Sequence, residues 1–78
     1  MTVQTLNPDH ILVFKTSIKT RDDLYNLQEA LTGNPDITEW SIDLEDCDKV
    51  LRVVSEKLSP VQIIDIVNQH GYLCIELI

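Results

Sequence analysis

Apolar residues in this chain repeat every second position in some stretches and every third or fourth in others. The order of those stretches leaves few architectures open. Residues 11–16, Ile-Leu-Val-Phe-Lys-Thr, form a short β-rich run. Leu12, Phe14 and Thr16 share one face of it, and Ile11, Val13 and Lys15 the other. The period then lengthens. Leu24, Leu27 and Leu31, with Ala30 beside them, make one helical stripe. Thr20 stands at its N-cap, Asp22 and Asp23 favour its positive end, and Gly33-Asn34-Pro35 stops it.

Alternation returns over residues 37–45. Trp40, Ile42 and Leu44 point one way, while Glu39, Ser41, Asp43 and Glu45 point the other, which predicts a half-buried strand with a wet face. Residues 45–48 predict a tight turn and residues 49–55 the returning strand of a hairpin. Ser59-Pro60 is a serine cap followed by a proline suited to the first helical position. Ile63, Ile64, Ile66 and Val67 then give a broad apolar face up to Gly71, and residues 72–78 predict the last strand. The order βαββαβ predicts an α+β, ferredoxin-like sandwich: a four-stranded antiparallel sheet with two helices on one face. A single domain is expected over residues 10–78, behind a polar, poorly ordered lead-in at 1–9 that holds the turn signal Asn7-Pro8.

Length and charge narrow the function. A chain of 78 residues buries only about 60% of its unfolded surface, too little for a deep enclosed pocket. No nucleophile–base pair can be assembled either: Ser17, Ser41, Ser55 and Ser59 have no histidine with a clear claim on them. The expectation is no enzyme and no cofactor. Thirteen acidic residues against 6 basic ones give a net charge of −7, which argues against nucleic acid and anionic membranes as partners. Cys47 and Cys74 are too few for a disulfide framework. With no long apolar run and no charged-then-apolar leader, they predict free thiols in the cytoplasm.

The right-handed crossover rule sends three loops, residues 16–21, 46–49 and 70–72, to one end of the sandwich. That end should be the functional one. It carries Lys19 and Arg21 at the start of the first helix, but no cysteine, histidine or carboxylate before Asp22 within the first loop.

The leucines of the first helix, the strand Ile37-Thr38-Glu39-Trp40-Ser41-Ile42-Asp43-Leu44 and the closing Asn-Gln-His-Gly-Tyr-Leu-Cys-Ile-Glu-Leu of residues 68–77 carry a resemblance. Over residues 10–78 the chain resembles the heavy-metal-associated domains, the copper chaperones and N-terminal modules of copper ATPases. That family holds a soft cation on Met-x-Cys-x-x-Cys in its first loop. The resemblance places the methionine at Thr16, the first cysteine at Ile18 and the second at Arg21. Ile18 has no lone pair, and Arg21 puts a permanent cation where the family places a metal. Tyr72 matches the tyrosine near the metal in bacterial members. The resemblance implies a degenerate member, the scaffold without its thiolate site.

The reading that follows is a non-catalytic interaction or regulatory module for a protein partner or a second copy, with Lys19, Arg21, Lys49 and Tyr72 at the contact end and no metal. The alternative is a chaperone-like protein that binds metal through Cys47 and His70, with Asp46 and Asp48 adjacent. A third is a small-anion site at Lys19 and Arg21. Cys74 is expected to act as a small hydrophobe, on the core side or on the open sheet face. Val13, part of the third strand, and Cys74 or Tyr72 are expected to make the open sheet face patchily apolar.

Overall fold

The computed structural model describes residues 10–77. The polar lead-in at 1–9 and the final residue of the expected last strand lie outside them. The elements are β1 (Ile11–Thr16), α1 (Arg21–Thr32), β2 (Glu39–Asp43), β3 (Val50–Val54), α2 (Pro60–Gln69) and β4 (Cys74–Glu76). They form one antiparallel sheet in the order β2-β3-β1-β4. The first strand is therefore central, paired with β3 on one side and β4 on the other. This is the ferredoxin-like arrangement that the periodicity predicts.

Both helices begin where their caps dictate. At α1 the Thr20 hydroxyl accepts the Asp23 N–H, and the Asp23 carboxylate accepts the Thr20 N–H. At α2, Ser59 and Gln62 exchange the same pair of bonds and Pro60 takes the first turn. Each reciprocal pair satisfies two main-chain donors that a bare helix end leaves open. Leu27 and Leu31 from α1, and Ile63 and Val67 from α2, are fully buried against Phe14, Leu51 and Val53 of the sheet. Burying each such side chain contributes ~1.5–3 kcal/mol.

Gly71 ends α2 as expected, but the last strand starts later than expected. His70 caps the helix, Gly71 follows at φ +90°, and its N–H donates to the Asn68 carbonyl while the Tyr72 N–H donates to Val67. This is a Schellman closure, and its left-handed position suits glycine. It uses the Tyr72 main chain to end the helix, so β4 starts at Cys74 rather than at Tyr72. Gly33, at the end of α1, is needed for closeness instead: a Cβ there would lie 2.8 Å from the Glu29 carbonyl oxygen.

The open sheet face also differs. Cys74 pairs with Thr16 on the core side and is buried, and Tyr72 packs against the core. The exposed apolar residues at that edge are Leu73, Ile75 and Leu77. No helix among the described residues is long and apolar enough to cross a membrane.

Candidate functional site

Hydrogen bonds bring the three loops together at one end. The Thr16 N–H donates to the Asp48 carbonyl at 3.2 Å, and its hydroxyl to the Lys49 carbonyl at 2.7 Å, joining the first loop to the hairpin tip. Ser17 does the same on the other side. Its N–H donates to the Leu73 carbonyl at 3.1 Å, and its hydroxyl accepts the Leu73 N–H at 2.8 Å. Tyr72 closes the third side: its hydroxyl donates to Asp23 and accepts from the Asn26 amide, both at 3.1 Å.

Between these ties lies Ile18, 0% exposed, with its N–H on the Thr16 hydroxyl. It belongs to the same buried cluster as Phe14 and Leu27. The loop that carries ligands in the resembled family here drives an isoleucine into the core.

Asp23 holds the loop electrostatically. The Lys19 N–H, at 3.0 Å, is the main cause that lowers the Asp23 carboxyl pKa; desolvation, the next largest, opposes it, and the Tyr72 hydroxyl and Thr20 add smaller lowering contributions. A carboxylate with a lowered folded-state pKa contributes stability above its unfolded value and loses it as the pH falls below. Tyr72→Phe should therefore melt at a lower temperature than the parent at neutral pH. The gap should narrow as the pH falls below about 3.8, leaving the share of the neutral Asn26 bond. Thermal melts across the acid range will read this.

Of the four residues expected at the contact end, Lys19 and Arg21 are exposed, and among the described residues neither enters an ion pair. Lys49 folds inward instead: its ammonium donates to the Leu44 carbonyl and its backbone takes φ +47°. Tyr72 is committed to Asp23 and Asn26. Sequence reasoning missed Ser17 and Asn26. The Thr-x-x-Asp spacing of the capping box could have flagged Asp23.

At the hairpin tip, Asp46, Cys47 and Asp48 each offer a ligand atom, all within 4.8 Å of one another. His70 is not in that group. Its Nδ1 lies 2.9 Å from the Ile66 carbonyl, at the end of its own helix. The carboxylates are partly engaged: Asp46 accepts the Asp48 N–H at 2.8 Å, and Asp48 lies 3.5 Å from the Lys15 ammonium. Cys74 is inert by burial, which raises its thiol pKa to about 11.

No family model matches the sequence, and no curated protein matches it. Solved structures do match in shape. The Cu(I)-loaded first domain of the human copper chaperone for SOD1 superposes with a TM-score of 0.74 at 15% identity, covering 85% of this chain and 89% of that one. This chain has the heavy-metal-associated fold. A yeast copper transporter domain, solved in apo and Cu(I)-loaded states, gives a TM-score of 0.74 at 14% identity, with 87% and 94% covered. The N-terminal domain of PacS from Synechocystis gives 0.73 at 13%, with 87% and 97% covered. The heavy-metal-associated fold is thus matched almost end to end by domains that share few residues with this one.

Proposed function

We propose that this domain is a non-catalytic interaction module that keeps the heavy-metal-associated scaffold without its thiolate site, and that it docks an acidic patch of a protein partner at the end carrying Lys19 and Arg21. The observation that carries this reading is Ile18. The position at which the resemblance sets the first metal thiolate is filled by a fully buried apolar side chain. The loop around it is pinned through Thr16 and Ser17 to both of its neighbours. A cation carrier needs soft, deprotonated donors free to meet the ion. This loop supplies neither the donors nor the freedom.

The exposed charges of Lys19 and Arg21, which enter no ion pair among the described residues, support docking of an acidic surface over capture of a small anion. The N–H groups of Lys19, Thr20 and Asp23 are already bonded within the cap, which removes donors that an anion at a helix start would use. The test begins with Cu(I) and Zn(II) titrations of the reduced protein against a competing chelator. No ion should be won. A one-to-one complex would overturn the reading, and its loss in Cys47→Ser would locate the metal at the 46–48 tip, the group whose atoms already lie close together. Partner capture by the wild type at low salt should fall about tenfold or more when Lys19 and Arg21 are both reversed to Glu, since rim charges act mainly on encounter and are screened by salt. Capture unchanged by that reversal would remove those two residues from the interface.

A further inference from the structure

The two edges of the sheet are built to opposite rules. Edge strand β2 presents Glu39, Ser41 and Asp43 on the open face, all exposed. Carboxylates placed there oppose pairing with another chain. Edge strand β4 and its flanks present no charge on that face. Ile75 stands opposite Lys15, and Leu73 and Leu77 flank it, at 70%, 61% and 39% exposure for Leu73, Ile75 and Leu77.

Among the described residues, the main chain of this edge is also unspent. Leu73 exchanges its carbonyl and N–H with Ser17, the Leu77 N–H donates to Val13, and Ile75 lies between them in register with Lys15. An antiparallel ladder alternates, so residues between bonded positions point their N–H and C=O groups the other way. The main-chain groups of Cys74 and Glu76 therefore face outward along the free edge.

We propose that β4 pairs with β4 of a second copy of this chain, antiparallel, about a two-fold axis through Ile75. Leu73 then lies opposite the partner's Leu77, and Cys74 opposite the partner's Glu76. The two Cys74–Glu76 pairs each exchange both of their N–H···O bonds, and the two sheets become one. Leu73, Ile75 and Leu77 of both copies close into a single apolar stripe. Self-complementarity selects a second copy as the occupant. The only ionisable carboxylate on the strand, Glu76, meets a neutral thiol whose pKa lies near 11. A slipped register that set Glu76 against Glu76 would oppose like charges.

The contact is smaller than the ~1,600 Å² of a standard interface, so the dimer is weak and dependent on concentration. Each copy carries −7, so added salt tightens it by screening repulsion. That response is opposite to the one expected for Lys19 and Arg21 docking, and the two surfaces stand or fall separately.

Sedimentation equilibrium from micromolar to millimolar protein, at low and high salt, tests the dimer. The expected result is a reversible monomer–dimer equilibrium that strengthens with salt and weakens about tenfold or more in Ile75→Lys. Ser41→Lys, on the other edge, should leave it intact. Hydrogen exchange should show the Cys74 and Glu76 amides slowing as concentration rises. Leu73→Lys serves if circular dichroism shows that Ile75→Lys does not fold. A monomer throughout the range, a dimer that survives both lysines, protection that appears on β2, or pairing only with an extended segment of another protein would each overturn the proposal.

Discussion

Ile18→Ala is expected to lower stability by about 2–4 kcal/mol, within the range of buried isoleucine truncations. For a domain of this size that corresponds to a fall in Tm on the order of 10–25 °C. The reason lies in where the loop puts the residue. Ile18 is fully buried, its amide is tied to the Thr16 hydroxyl, and it touches the same cluster as Phe14 and Leu27. With the loop held on both sides by Thr16 and Ser17, the backbone cannot settle into the vacated volume, so the cavity term stays near its full size. Ile18→Val should cost only about 0.5–1.5 kcal/mol by the same argument. Urea denaturation of the two variants measures both values. A loss below about 0.5 kcal/mol for the alanine variant would class Ile18 with ordinary surface positions, and the view of this loop as part of the core would be wrong.

Ser55→Ala should cost about 2–4 kcal/mol, although it removes a single oxygen. Ser55 is buried at the pole opposite the candidate site. Its hydroxyl donates to the Asp36 carbonyl at 2.6 Å and accepts the Leu58 N–H at 2.9 Å and the Lys57 N–H at 3.3 Å. One side chain thus ties the loop after α1 to the loop before α2. Alanine would leave a part-buried carbonyl and two amides without this partner at once, and a group left unpaired costs about 1–3 kcal/mol unless water reaches it. Chemical denaturation gives the total, and hydrogen exchange should show the Lys57 and Leu58 amides losing protection ahead of the core strands. A near-neutral effect would mean that water replaces the hydroxyl.

The sequence made the fold legible because its local signals agree. Thr20 and Ser59-Pro60 mark helix starts that the structure keeps, and the alternation around Trp40 and Ile42 marks a strand with one wet face. It was less legible where one residue serves two elements. Tyr72 looks like the start of a strand by β propensity, yet its N–H closes α2 and its hydroxyl binds the first turn of α1. The pairing of Cys74 with Thr16 sets the last strand's faces, turning Cys74 to the core and leaving Leu73, Ile75 and Leu77 exposed. The site shows the same limit. The missing cysteines can be read from residue types alone, but the depth of Ile18 and the inward fold of Lys49 depend on contacts between loops distant in sequence. Composition and periodicity carry no record of such contacts.

The central place of β1 has a kinetic corollary. Its two neighbours come from the middle and the far end of the chain, so Thr16 waits for Cys74 and Phe14 for Glu76. Such long-range pairing is slow, because loop closure must be met before the contacts reward it. During synthesis, β1, α1 and the hairpin leave the ribosome with one side of β1 bare. The domain therefore cannot close its sheet until β4 has emerged. Until then the exposed flank of β1 is the part of the nascent chain most in need of a chaperone's cover.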